Sequence, residues 1–231
     1  MTTFKPVTHV IFDMDGLLIN TEDLYTELYT DLCKEFGGTY TYEMKLKLMG
    51  RKPDEANQMV IDELNLKTNL QEFNKLSYSK QPSYFCKAKL LPGAEKLINH
   101  LDKHKIPMMI CTGSSSEAFD NKTRNKPMMN QLFSKMHYIL KCGSDERVTK
   151  GKPDPCAYLV AKSMFEKEPE SSVCLAFEDS PGGVESAVNA GMQCVMVPDP
   201  RVPEELREKA TQVVIGLENF KPEDFGLPAY D

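Results

Sequence analysis

Residues 11–22 read IFDMDGLLINTE. Asp13 and Asp15 stand one residue apart at the end of an apolar run, and Gly16 follows at once. A core strand does not end in two like charges unless a cation or a chemical task offsets their repulsion. The run before them, THVIFD over residues 8–13, is short, β-branched and aromatic, which predicts a strand closed by a turn. From Asn20 the period changes. In NTEDLYTELYTDLCKEFGG the apolar positions 24, 25, 28, 29, 32, 33 and 36 follow helical spacing; Asn20 or Thr21 can serve as N-cap, and Gly37 with Gly38 stops the helix. One stretch therefore carries a strand, an acidic pair and the exit into a helix.

Further along, TYEMKLKLMG and PDEANQMVIDEL predict two more helices, and residues 69–79 and 82–88 a further two helical pieces. Beyond them the chain alternates. LLPGAEKLINHLDKH is a helix, PMMICTG a strand, SSSEAFDN a helix and HYILKCG a strand. PDPCAYLVAKSMF is a helix, VCLAFED a strand, and PGGVESAVNAG a helix with Gly191 just past its end; QCVMVPD and QVVIG are strands. Strands alternating with helices imply right-handed crossovers and a parallel sheet covered on both faces, which suits continuous apolar runs such as VCLAF. The expected fold class is α/β: a Rossmann-like parallel sheet core with a small all-helical cap inserted after the first strand. The core is residues 1–18 with 90–231, and the cap is residues 19–89.

The formal charge of −6 has acids and bases interspersed, so a nucleic acid polymer is not an expected partner. Asp13 and Asp15 interrupt the only apolar stretch near the N-terminus, unlike a signal peptide, and no run reaches the roughly 18 residues of a membrane helix. The seven cysteines, at 33, 86, 111, 142, 156, 174 and 194, contain no C-x-x-C pair, which predicts reduced thiols. No membrane partner, a cytoplasmic location and a monomer are the expectations. His100 and His104 share a helix face in a lysine-rich segment, which predicts a solvated surface rather than a metal site.

Ligands of parallel α/β sheets bind beyond the carboxyl ends of the strands. Those ends carry Asp13 and Asp15, then Thr112-Gly113-Ser114-Ser115, then Gly151-Lys152-Pro153-Asp154, then Glu178-Asp179-Ser180. Each piece alone has an ordinary structural explanation: T-G-S-S before a helix is an N-cap, and K-P-D-P is a turn. Their joint placement at consecutive strand ends points to phosphoryl transfer. Asp13 and Asp179, with Glu178 near, can hold Mg²⁺ and leave positions for water and a phosphate oxygen. Asp13, ionised at neutral pH, can attack phosphorus. Asp15 can protonate the leaving alkoxide and later activate water, while its backbone carbonyl reaches the metal. Lys152 and the groups at Thr112, Gly113 and Ser114 supply positive potential to the phosphoryl oxygens.

With FDMDG (12–16), CTGSS (111–115), GKPDP (151–155) and FEDSPGG (177–183), the chain resembles the haloacid-dehalogenase-like phosphohydrolases. The helical block after the first motif is similar to the small cap of their β-phosphoglucomutase-like branch. The resemblance implies Asp13 as nucleophile, Asp15 as acid and base, Thr112 and Lys152 on phosphate, and Asp179 with Asp13 and Asp15 on Mg²⁺. The acid at Asp15 places the chain with the family's phosphatases rather than its dehalogenases. The second motif departs from T-S-S-R, so Ser115 stands where an arginine is expected. The cap then decides the substrate: Arg51 or Lys52, at a turn between cap helices, can reach over the site, while Tyr25 and Tyr29 are expected to pack inside the cap. The expected partner is a small phosphorylated metabolite. A nucleoside 5′-monophosphate comes first, with glycerol 3-phosphate, a sugar phosphate or a mutase reaction as alternatives and a catalytically silent binding protein as the alternative of another class.

Overall fold

The computed structural model describes residues 3–48 and 53–231. Its first strand, β1 (His9–Phe12), lies in the middle of a sheet with β2 (Met108–Thr112) on one side and β4 (Cys174–Glu178) on the other. Beyond β2 lies β3 (Tyr138–Lys141), and beyond β4 lie β5 (Gln193–Met196) and β6 (Gln212–Val213). Every pairing is parallel, and the register sets Val10 against Met108 and Leu175, and Phe12 against Ile110 and Phe177. The chain fills one side of β1 and then crosses to the other, so the crevice where the strand order reverses opens beside β1 and β4. Asp13 follows the one and Glu178 ends the other.

Successive strand residues point to opposite faces, and both faces are buried. Val10 and Phe12 join Leu97, Leu101, Ile110, Phe177 and Phe220 in one core. This face is covered by α5 (Ala94–Lys103) and α7 (Pro127–Phe133). Ile11 joins Met109, Ala176, Tyr158, Ala161, Val184 and Ala187 in the other, under α8 (Cys156–Ser163) and α9 (Pro181–Asn189). α6 (Ser116–Thr123) starts just past β2.

A third core lies among α1 (Thr21–Glu35), α2 (Tyr42–Leu48), α3 (Pro53–Glu63) and α4 (Leu70–Phe85), built from Leu28, Leu32, Met44, Val60 and Phe73. The chain enters and leaves this helical layer through two strands of linker tied together. Asn20 N–H donates to Lys89 O at 3.0 Å and Leu91 N–H to Leu18 O at 2.9 Å, while the Asn20 side chain accepts from Lys89 N–H at 2.7 Å. Asn20 thus sits at the N-cap position of α1 but uses its carboxamide to close the linker rather than cap the helix.

Two expectations are corrected here and one helix is added. The two helical pieces over 69–79 and 82–88 are one helix, α4, with Pro82 inside its last turn. Phe73, Ser77, Gln81 and Phe85, all buried at four-residue spacing, keep one face of the helix turned inward through the proline, and Asn69 caps it by accepting from Glu72 N–H at 3.0 Å. α7 was not anticipated; its signal is Pro127 in the first turn followed by buried Met129, Leu132 and Phe133. His100 is buried rather than solvated, because its ring nitrogen bonds Pro228 O at 2.8 Å and its ring packs on Tyr230. Phe73 has no exposed surface and packs at a tilt against the rings of Tyr29 and Phe36. Phe73→Ala is therefore expected to cost about 3–5 kcal/mol in urea unfolding. A loss under about 1 kcal/mol would remove Phe73 from a close-packed cap core.

Candidate active site

The first strand end is built around Lys152, from the loop after β3. Its Nζ donates to Asp13 Oδ1 at 2.6 Å and to Glu178 Oε1 at 2.5 Å, and all three side chains are nearly fully buried. Burial disfavours the ammonium, but Asp13 and Glu178 outweigh it and hold the Lys152 pKa well above its ordinary value. Glu178 is fixed further by Tyr158, whose hydroxyl donates to Oε1 at 2.7 Å, and by Ser180, whose hydroxyl donates to Oε2 at 3.4 Å. The Glu178 carboxyl lies so close under α9 that a Cβ at Gly183 would fall 2.0 Å from it, which is the reason for glycine in the third position of P-G-G.

Asp179, the next residue, has no hydrogen bond or ion pair among the described residues although it is only 7 % exposed. Burial and the charges of Glu22, Asp13 and Glu178 push its pKa well above the ordinary carboxylate range. Asp13 is pushed up to about 7, by burial first and then by Glu178 and Asp15, against the pull of Lys152. Oxygens of Asp13, Glu178 and Asp179 all lie within 4.8 Å of one another. An unpaired buried carboxylate among hard oxygen donors, with too little positive charge near it, is an arrangement suited to a hard divalent cation. Glu178 has both oxygens engaged by Lys152, Tyr158 and Ser180, so the least committed oxygens are those of Asp13 and Asp179. Gly16 completes this corner: its φ is +78°, and a Cβ there would sit 2.2 Å from Asp179 Oδ2.

Asp15 takes a different direction. Thr21 Oγ1 donates to its Oδ1 at 2.5 Å and Lys122 Nζ at 2.6 Å, while Thr112 Oγ1 and Ser114 Oγ donate to its Oδ2 at 3.1 and 2.9 Å. Burial works against ionising Asp15, yet Lys122 and these hydrogen bonds outweigh it and hold the pKa below the ordinary value. The side chain keeps 17 % exposure and reaches the cavity. Lys122 is wholly buried, donates also to Ser114 Oγ at 2.7 Å, and lies 4.8 and 5.1 Å from the ring centres of Tyr25 and Phe85.

Asp13, Asp15, Gly113, Ser114, Ser115, Lys152 and Asp179 line one cavity of about 730 Å³, roofed by residues of α1 to α4. Two sequence-predicted residues differ in what they do. Thr112 is fully buried, and its hydroxyl serves Asp15 and accepts from Ser114 N–H at 3.1 Å rather than facing the cavity. Ser115 caps α6, accepting from Ala118 N–H at 3.2 Å. Tyr25 and Tyr29 pack inside the helical layer and also line the cavity. Arg51 and Lys52 lie outside the described residues. Sequence reasoning missed Lys122, Thr21, Tyr158, Glu22 and Lys45, the last two forming an ion pair at 3.3 Å on the cavity wall. A signal existed for Lys122: positions 118, 119, 122 and 123 form the buried face of α6, so a lysine there had to be paired.

The comparisons agree with this geometry. The profile of the haloacid dehalogenase-like hydrolases matches residues 10–197. The chain is 40% identical over 226 residues to a probable pseudouridine-5′-phosphatase of Drosophila melanogaster, covering 98% of this chain and 96% of that one. It is also 40% identical over 228 residues to (DL)-glycerol-3-phosphatase 2 of Arabidopsis thaliana, covering 97% and 93%. Among solved structures, β-phosphoglucomutase of Clostridium difficile shares the fold at a TM-score of 0.72 and 20% identity, covering 95% of this chain and 97% of that one. No helix among the described residues is long and apolar enough to cross a membrane. The chain belongs to the haloacid dehalogenase-like hydrolases, with its structural neighbours in the β-phosphoglucomutase-like branch, and it is a phosphoric monoester hydrolase.

Proposed function

We propose that this phosphatase depends on Mg²⁺, works through an aspartyl-phosphate on Asp13, and hydrolyses pseudouridine 5′-phosphate to pseudouridine and phosphate. The observation that carries the chemistry is the placement of Asp13 between Lys152 and the unpaired Asp179 on the floor of a roofed cavity. Asp13, Asp179 and the Asp15 backbone carbonyl would hold the ion, with Glu178 behind them. When bound, Mg²⁺ supplies the positive charge that keeps Asp13 ionised and offsets charge on the phosphoryl oxygens.

The remaining work belongs to side chains of the chain. Asp13 attacks phosphorus, and Lys152, at 2.6 Å from Asp13, stays beside the phosphoryl oxygens as charge develops there. Asp15 must be protonated to give a proton to the leaving alkoxide, against the pull of Lys122 and its hydroxyl partners, and its carboxylate, the form they favour, takes a proton from the water that cleaves the acyl phosphate. Thr112, Ser114, Thr21 and Lys122 aim its carboxylate, so the four donors position the acid rather than bind phosphate. Residues 19–89 act as a cap that excludes bulk water from the aspartyl-phosphate. All seven cysteines are free, which supports a reducing, cytoplasmic location.

What supports a nucleotide over glycerol 3-phosphate is the space above the floor. A cavity of about 730 Å³ with Tyr25, Tyr29, Tyr40 and Tyr78 on its walls suits an aromatic ring, whereas a three-carbon leaving group leaves most of it empty. A sugar phosphate falls between the two.

Asp13→Asn is expected to lower phosphate release from p-nitrophenyl phosphate at least about 1000-fold, and chelation to abolish wild-type release until Mg²⁺ is restored. Persistent turnover in the variant would sink the nucleophile assignment. Comparing kcat/KM for pseudouridine 5′-phosphate, uridine 5′-phosphate, glycerol 3-phosphate and hexose phosphates decides the substrate. The first is expected to be highest, and a profile led by glycerol 3-phosphate would move the chain to the second relative's activity.

A further inference from the structure

The polar groups of the cavity roof fall into two kinds. One kind is committed. Tyr29 OH donates to Asn57 Oδ1 at 2.5 Å, Asn57 Nδ2 donates to Asn74 Oδ1 at 2.6 Å, and Asn74 Nδ2 donates to Asp54 Oδ1 at 2.8 Å. The carboxylate at the end of this chain only accepts, and that orients both carboxamides in turn. Lys45 is likewise committed, to the Glu22 carboxylate and to Glu22 O and Thr26 Oγ1 at 3.2 and 3.1 Å. The other kind is uncommitted. Ser77 and Gln81 lie one turn apart on the buried face of α4, are 2 % and 7 % exposed, and both line the cavity. Neither side chain has a hydrogen-bond partner among the described residues. Their neighbour on the same face, Phe85, packs against Lys122 and Tyr25, so this face of α4 is anchored at its lower end.

Buried hydroxyls and carboxamides normally find partners in the folded chain, and a pair left without them facing a cavity is built for a ligand. A carboxamide presents a carbonyl acceptor and an N–H donor side by side in one plane. Its complement is another planar donor–acceptor edge: the N–H and C=O of a lactam or imide, as in a uracil-type ring. A polyol offers single hydroxyls that rotate freely and does not match both positions at once. The tyrosines of the walls supply faces for the ring whose edge is read.

We propose that Gln81, assisted by Ser77, is the residue pair by which this enzyme reads the imide edge of its substrate's base. The inference rests on the nucleotide reading given above and adds the residues that make it selective. Asn57, fixed by Tyr29 and Asn74, forms the rigid surface against which the ring is held. Gln81 thereby sets the preference for the leaving group without touching phosphorus, and the cap helix carries specificity while the strand ends carry chemistry.

The test is a selectivity ratio: kcat/KM for pseudouridine 5′-phosphate divided by kcat/KM for ribose 5-phosphate, which keeps the phosphate and sugar but lacks the base. The ratio is measured for the wild type, Q81L and Q81E, with thermal melting to follow folding. Gln81→Leu keeps the volume and removes both polar atoms, and Gln81→Glu replaces the donor with a second acceptor facing the ring carbonyl. Both variants are expected to lower the ratio about 10- to 100-fold, chiefly through KM for the nucleotide. A ratio retained in both variants overturns the role of Gln81 and leaves the nucleotide reading standing. A parallel fall for both substrates, with the ratio unchanged, assigns Gln81 to the folding of α4 and also overturns the inference. A wild-type ratio near one removes the nucleotide reading, and this inference with it. If Q81L fails to fold, the near-isosteric Q81E reads the same ratio.

Discussion

One buried ammonium group organises this site. Lys152 lies between two carboxylates that end neighbouring parallel strands, and none of the three has appreciable contact with solvent. Removing one partner from such a cluster leaves an uncompensated buried charge, which costs about 3–5 kcal/mol in other proteins. The loop after β3, the end of β1 and the end of β4 are therefore bound to a common geometry. Tyr158 and Gly183 are tied to the same point: the tyrosine holds the Glu178 carboxylate, and only glycine lets α9 pass over it. Even so the charge is unbalanced. Asp179 sits in the same corner with no cation of its own among the described residues, and this imbalance is the physical case for a divalent ion.

A second lysine divides the labour between the two acids of the first motif. Asp13 and Asp15 share one reference pKa, yet burial drives Asp13 up to about 7 while Lys122 and the hydroxyls of Thr21 and Ser114 hold Asp15 below its ordinary value. The two acids of one motif thus sit in unlike electrostatic surroundings: Asp13 has too little positive charge around it to offset its burial, whereas Asp15 has enough to favour its carboxylate form. The difference arises from direction. The chain turns at Gly16, so Asp13 faces β4 and Lys152, while Asp15 faces β2 and α6.

The strand ends were legible in the sequence because parallel buried strands are short apolar runs, and a polar residue following such a run has a defined place beyond the sheet. Asp13, Asp15, Ser114, Lys152, Glu178 and Asp179 were found that way. Lys122 and Tyr158 were not, since helical periodicity sorts residues by polarity and reads a lysine as solvent-facing until its burial forces the question. Thr112 illustrates a subtler gap: its position was right, but its hydroxyl partner, Asp15, is 97 residues away in sequence and only the folded geometry assigns it. Gln81 was invisible for another reason. Its segment looked broken at Pro82, and only an unbroken α4 brings residues 77, 81 and 85 onto one buried face.

That face also explains how roof and floor are coupled. Lys122 stands on the core helix α6, bonds Asp15 on the floor, and lies beneath the rings of Tyr25 from α1 and Phe85 from α4. Thr21, the first residue of α1, bonds the same carboxylate, and the linkers on either side of the helical layer are hydrogen-bonded to each other through Asn20 and Lys89. The donors of Asp15 thus come from both roof and sheet, whereas among the described residues Asp13 is held from below by Lys152 alone among lysines. Asp13 is fixed by the core, and Asp15 by the boundary between core and roof. The two acids of the first motif therefore answer to different parts of the fold, Asp13 to the strand ends and Asp15 to the helices above them as well.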